Sequence, residues 1–122
     1  MNAKDFLPLK NKADGMILKV VIDDQVYPIN VPDRIINEAG DFFRKIDKDM
    51  DNGWQMSRDW VDNPNQEQRC QIVGDKMLTA MHNDNEQLMV LLSAYVLARV
   101  PGATGLRIDT NGEMLETELV VG

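Results

Sequence analysis

Three helix-breaking sequences divide the middle of the chain into short helices and leave strand-like segments at both ends. Each combines residues that favour caps or turns over helix interiors. They are Asn63-Pro64, Asn83-Asp84-Asn85 and Pro101-Gly102. A membrane-spanning helix needs about 20 apolar residues, and the longest apolar stretch, residues 88–98, is about half that length. The order along the chain is therefore strands, helices, strands.

The residue pattern predicts a β-hairpin at each end. Residues 16–22 and 26–31 are rich in β-branched side chains and are separated by a short acidic turn. Pro28 donates no ladder hydrogen bond, so we expect the second strand at a sheet edge. Near the C-terminus, Asn111-Gly112 predicts a type I′ turn, which needs positive φ at both central positions. The returning strand should cover residues 114–121, with alternate side chains on one face.

Apolar spacing predicts the helices. One continuous stripe runs from Ile35 to Met50. Asn63-Pro64 predicts the start of the next helix, with Asn as N-cap and Pro at the first helical position. Either Asp84 or Asn85 caps a further helix over residues 86–100.

The segment between these helices is less regular. We expect some helix in residues 54–61, and two arrangements stay open at Asn52-Gly53. The chain either forms a loop there or continues as a kinked helix.

These elements predict an α+β domain over residues 16–122, after a poorly ordered segment at residues 1–15. In this architecture the two hairpins form one antiparallel sheet, and three to four intervening helices pack on it.

Composition narrows the class of protein. Of 122 residues, 20 are acidic and 13 basic, which gives a net charge of −7. This charge disfavours a nucleic-acid binder, because neutralising phosphates needs a basic surface. A single Cys excludes an internal disulfide. We expect a cytoplasmic protein, since the N-terminal sequence has no apolar core typical of a secretory signal and no span is present.

Two groups of residues could carry metal chemistry. Asp47, Asp49 and Asp51 alternate like the opening of a calcium loop, but the sixth and twelfth positions are Asn52 and Arg58, where that loop needs Gly and Glu. The second group is His82 with Asp84 and Glu86, which straddle a helix break. Catalytic zinc sites usually need three protein ligands. A solvated acidic face and a His at a helix C-terminus are the simpler interpretations.

Several other residues are explained most simply by the core. Cys70 lies on an apolar helical stripe, where free Cys is usually buried. Met77, Met81 and Met89 fit the core as well, with a Met-lined adaptable groove as the alternative.

Both Trp residues lie within one short segment, beside acidic residues and one Arg. Trp is enriched at interface hot spots because it buries a large area and keeps a polar atom. We therefore predict that Trp54 or Trp60, with Arg58, contacts a partner chain. Asp49 and Asp51 would form the polar rim.

The stretch from Val20 to Pro32, followed by an amphipathic helix, resembles the start of the cell-division protein ZapA. The resemblance implies a non-enzymatic protein that forms oligomers. It covers only the first hairpin and the next helix. The chain departs from that family afterwards, because helix breaks and a second hairpin stand where the family has a long coiled-coil helix.

The sequence as a whole predicts a small non-enzymatic binding or accessory protein that acts through protein–protein contacts. An unidentified protein partner and a homo-oligomer are expected, with no cofactor, nucleic acid or membrane. The alternative is a small metal-dependent enzyme or metal-binding domain that uses residues 47–51 or His82 with Asp84.

Overall fold

The computed structural model describes residues 15–122. Within this range four α-helices accompany a four-stranded sheet and a separate two-stranded hairpin. The elements are β1 (Gly15–Ile22), β2 (Gln25–Pro32), α1 (Asp33–Glu38), α2 (Gly40–Asp51), β3 (Trp54–Met56), β4 (Asp59–Val61), α3 (Gln66–His82), α4 (Glu86–Arg99), β5 (Ala103–Ile108) and β6 (Glu118–Val121). A single 3₁₀ turn, Met114–Glu116, precedes β6. The segment expected to be poorly ordered lies outside the described residues, except for Gly15.

The first hairpin confirms the expected turn and edge. Asp23 and Asp24 both have positive φ, 50° and 66°, and Ile22 pairs directly with Gln25. These values define a two-residue type I′ turn, whose conformation Asp tolerates better than most residues. The strand order is β2-β1-β5-β6, so β2, with Pro28, lies at the edge of the sheet.

The sheet is mixed, which corrects the expectation of an antiparallel one. The two hairpins are antiparallel internally, but β1 and β5 pair in parallel, with Val20 opposite Leu106. The helices between the hairpins explain this direction. Because α3 and α4 are joined by a short turn and pack against each other, the chain returns to the end of the sheet that β2 left. From there β5 runs in the same direction as β1.

Two helix boundaries differ from the sequence pattern. The stripe from Ile35 to Met50 is divided at Ala39, which ends α1 and precedes α2. The next helix begins two residues later than expected, because Asn65, not Asn63, is its N-cap. Asn65 and Gln68 form a reciprocal capping box, which satisfies two backbone donors at once.

The end of the helical region follows the sequence closely. The Asn85 side chain accepts a hydrogen bond from the Leu88 backbone and caps α4. The helix ends at Arg99, two residues before Pro101.

Residues 54–61 form a β-hairpin, so the expectation of helix there was wrong. Gly53 and Ser57 have positive φ values of 106° and 57°, which no α-helix accommodates. Trp54 pairs with Val61, and Gln55 with Trp60. Apolar spacing over so few residues does not separate helix from strand.

The turn after β5 also differs from the expected one. Only Gly112 of the Asn111-Gly112 pair has positive φ, so this is not a type I′ turn. The Asp109 carboxylate accepts hydrogen bonds from two backbone amides, those of Asn111 and Glu113. The 3₁₀ turn follows, and it places Leu115 in an exposed position, off the face that buries Thr117.

The two faces of the large sheet differ in their cover. The helices pack on the face that buries Leu18, Val20 and Leu106. The opposite face exposes Ile17 and Val26 to solvent. Cys70 and Met77 of α3 are fully buried, as the sequence predicted.

No helix among residues 15–122 combines the length and the apolar composition that crossing a membrane requires.

Candidate interaction site

The hairpin of β3 and β4 presents Trp60 at the protein surface. Its side chain is 58% exposed, although Trp usually buries most of its area. The indole Nε1 donates a hydrogen bond to the Asp62 carboxylate at 2.7 Å. This bond fixes one edge of the ring and leaves its apolar surface accessible.

Gly53 provides the space against which Trp60 lies. A Cβ atom built on Gly53 would stand only 2.4 Å from Cζ2 of the indole. Gly53 also has a φ of 106°, which L side chains rarely adopt. Glycine is therefore favoured at this position for two independent reasons, and the Trp60 ring packs directly against it.

Trp54 occupies a different environment on the same hairpin. It is half-buried, packs against the core, and has the Lys76 ammonium 4.8 Å from its ring centroid. This geometry is a cation–π contact between the hairpin and α3. The strand alternation separates the two Trp side chains, since Gln55, not Trp54, lies opposite Trp60.

Ser57 attaches the tip of the hairpin to the connection between β5 and β6. Its Oγ donates to the Gly112 carbonyl and accepts from the Met114 amide, both at 3.0 Å. Arg58 follows at the turn and is exposed. Within residues 15–122 it makes no ion pair.

The acidic residues before the hairpin lie on α2, not in a loop. Asp49 forms an exposed ion pair with Lys45 at 3.5 Å. Asp51 forms an ion pair with Arg69 at 2.9 Å. Both carboxylates keep substantial exposure, which is compatible with the rim position predicted for them.

Asp47, by contrast, is built into the domain. Its carboxylate accepts hydrogen bonds from the Tyr95 hydroxyl at 2.5 Å, from Arg99 at 2.9 Å and from Arg69 at 3.1 Å. Burial alone would raise the pKa of Asp47, but these three donors outweigh it and hold the pKa below its ordinary value. This arrangement, called here the Asp47 cluster, joins α2, α3 and α4.

The groups considered for metal chemistry do not converge. Among residues 15–122, no three His, Cys, Asp or Glu side chains form an arrangement that could hold a metal ion. His82 is exposed at the end of α3. Burial raises the pKa of the Cys70 thiol to about 12, which disfavours a reactive thiolate.

Sequence reasoning missed three residues that hold the hairpin and its two Trp side chains in place. Asp62, Lys76 and Ser57 were not singled out, although Asp62 follows Trp60 by only two positions. Gly53 was considered only as a kink or loop residue. A strand interpretation of 54–61 would have drawn attention to it, because glycine before a short strand marks a turn or a close approach.

Comparison with known proteins adds no relative. No protein-family model, no curated protein and no solved structure matches the chain, so the resemblance of its first hairpin to ZapA is not supported at the family level.

Proposed function

We propose that this chain is a non-enzymatic binding or accessory protein that acts through protein–protein contacts at the β3–β4 hairpin. The observation that carries the proposal is Trp60, which is largely exposed yet held in one orientation by Gly53 and Asp62. A rigid aromatic side chain loses little conformational entropy on binding and buries a large area. Such a residue suits the role of an anchor.

The surroundings of Trp60 support the same role. Arg58, which makes no ion pair with another described residue, supplies a cation two positions before the anchor, and Asp49 and Asp51 supply acidic groups toward the rim. Of the two Trp residues, we assign the anchor to Trp60, because Trp54 is engaged with Lys76 and the core. We propose a cytoplasmic location and assign no cofactor, on the composition of the sequence.

The test is affinity capture from a lysate of the source organism with tagged wild type, Trp60→Ala and Trp54→Ala at matched folded concentration. Trp60→Ala should lose specific bound proteins and change the free energy of unfolding by less than about 1 kcal/mol. Trp54→Ala should cost about 2 kcal/mol or more, because it removes packed surface.

Val121→Ala is the matched control, since Val121 has the same 58% exposure as Trp60. It should keep both the bound proteins and the stability. If both Trp variants lose stability and neither changes the bound proteins, the interface assignment fails.

We further propose self-association through the sheet face that the helices leave uncovered. Ile17, Val26 and Val120 are exposed apolar side chains on this face. Lys19 and Glu118 lie on the same face. Each copy therefore presents charges of both signs to the other copy. Light scattering should give a dimer mass for wild type and a monomer mass for Val26→Lys. A monomer mass for wild type at micromolar concentration would contradict this part of the proposal.

A further inference from the structure

A groove lies between the edge strand β2 and the turn that joins α3 to α4. Its volume is about 370 Å³, which lies in the range of ligand-binding pockets. Apolar side chains from both walls form its floor, including Ile29, Met81 and Met89. None of the residues that line this groove belongs to the β3–β4 hairpin. The groove is therefore a separate site from the one proposed above.

The groove follows the edge of β2. Four consecutive residues, 27–30, line it, although successive side chains of a strand point to opposite faces. In a two-residue hairpin the residues that flank the turn exchange backbone hydrogen bonds. From the pairing of Ile22 with Gln25, the backbone groups of Val26, Pro28, Asn30 and Pro32 therefore point outward, away from β1.

The outward edge offers an incomplete ladder. Pro28 and Pro32 have no N–H, so only Val26 and Asn30 supply outward donors. Val26, Pro28 and Asn30 supply outward carbonyl acceptors, whereas Pro32 is the N-cap of α1 and its carbonyl accepts the first hydrogen bond of that helix. This pattern disfavours extended pairing between sheets, as edge prolines commonly do. It still allows a short added strand whose donors meet the free carbonyls.

The rim of the groove is acidic. Asp84 and Glu86 line it, and among residues 15–122 no Lys or Arg does. In the described part of the chain neither carboxylate takes part in an ion pair. The described residues of the rim therefore carry net negative charge, which favours a cationic ligand.

We propose that this groove binds an extended peptide segment that carries one bulky apolar residue and a Lys or Arg two positions away. The apolar side chain enters the pocket, where Met81 and Met89 adapt to its shape. Alternate side chains of an extended peptide point to the same side, so the basic residue reaches the acidic rim. The peptide backbone pairs with the outward edge of β2.

The probe is a phage-displayed library of linear nonapeptides, selected on the full chain. The selected peptides should share an apolar residue and a basic residue at a spacing of two. One selected sequence, made as a fluorescein-labelled synthetic peptide, then gives dissociation constants by fluorescence anisotropy. ¹⁵N-resolved NMR spectra should show shifted amides at Val26 and Asn30 and in the turn that carries Asp84.

The deciding variant is the double substitution Asp84→Asn and Glu86→Gln. Asp84 has positive φ, which Asn also tolerates, so the variant removes charge without strain. Binding should weaken about fivefold to tenfold, because the basic residue of the peptide loses both carboxylates of the exposed rim. The matched control is Asp24→Asn with Glu67→Gln, which changes a positive-φ Asp and a first-turn Glu outside the groove. The control should bind like wild type.

Several results would overturn the proposal. One is a selection without a shared sequence, and another is a shared sequence that lacks a basic residue. Shifts confined to the β3–β4 hairpin would place the peptide at the other site. If the NMR amide signals of the groove disappear when the protein self-associates without peptide, the groove binds a second copy of the chain instead. Trp60→Ala should leave peptide binding unchanged, so this proposal and the proposed function fail independently.

Discussion

The Asp47 cluster and the Trp60 surface lie close together in the sequence and are built in opposite ways. Asp47 is a charged residue whose side chain is only 24% exposed, and three donors surround it. Trp60 is the largest kind of apolar residue, and most of it faces solvent. Removing a charge from water costs little free energy only where hydrogen-bond donors take the place of the lost water molecules. An exposed aromatic ring keeps one orientation only where neighbouring groups contact it. Residue type alone therefore assigns neither position.

Asp47→Ala should produce the largest effect. The substitution leaves Arg69, Arg99 and the Tyr95 hydroxyl without their shared acceptor in a partly buried site. We expect a loss of about 3 kcal/mol in the free energy of unfolding, measured by urea denaturation. Asp49→Ala, which removes only an exposed pair with Lys45, is the control and should cost less than about 0.5 kcal/mol. Equal losses in the two variants would remove the distinction between the cluster and the surface.

Gly53→Ala tests the Trp60 surface. The added Cβ imposes strain at φ 106° and collides with the Trp60 ring. Gly112→Ala is the matched control, because Gly112 also has positive φ but has open space around its Cβ position. We expect about 1 kcal/mol of destabilisation for the control and about 2 kcal/mol for Gly53→Ala. Only Gly53→Ala should shift the indole N–H resonance of Trp60, and an unchanged resonance would show that Gly53 does not position the ring.

The pH dependence of stability should show a smaller effect from the same cluster. The pKa of Asp47 is lower in the folded protein than its ordinary value of 3.8. The corresponding stabilisation is fully present above that value and is lost as the pH falls through the folded pKa. Urea midpoints should therefore fall below about pH 4 more steeply in wild type than in Asp47→Asn. Parallel curves for the two proteins would contradict the assignment of this carboxylate.

The elements that the sequence predicted correctly depend on local signals. The acidic turn at residues 23–24, the cap at Asn85, which was one of two candidates, and the end of α4 before Pro101 each depend on residues close together in the chain. Pro28 at the edge strand follows from its missing donor. The α+β class follows from the order of these elements, because the breaks leave helices only between two hairpins.

The errors arise where local signals are ambiguous. Residues 54–61 are too few for apolar spacing to separate helix from strand. The positive φ of Gly53 turns the chain out of α2 and into the strand β3. Asn111-Gly112 is a strong hairpin signal, yet the Asp109 side chain binds two following amides and forms a different turn. In both cases a single competing interaction outweighs the propensity.

The sequence by itself determined the two helices that follow residue 65, the first hairpin, the buried Cys70 and the concentration of charge and Trp between residues 47 and 61. Only the tertiary structure decided which of those charged and aromatic residues are inside. Arg69 and Arg99, which stabilise the partly buried Asp47, lie 22 and 52 residues further along the chain. The parallel pairing of β1 with β5 likewise joins opposite ends of the described chain. Caps, turns and periodicity act over a few residues, whereas these contacts exist only after the helices have packed, because packing brings the distant partners together.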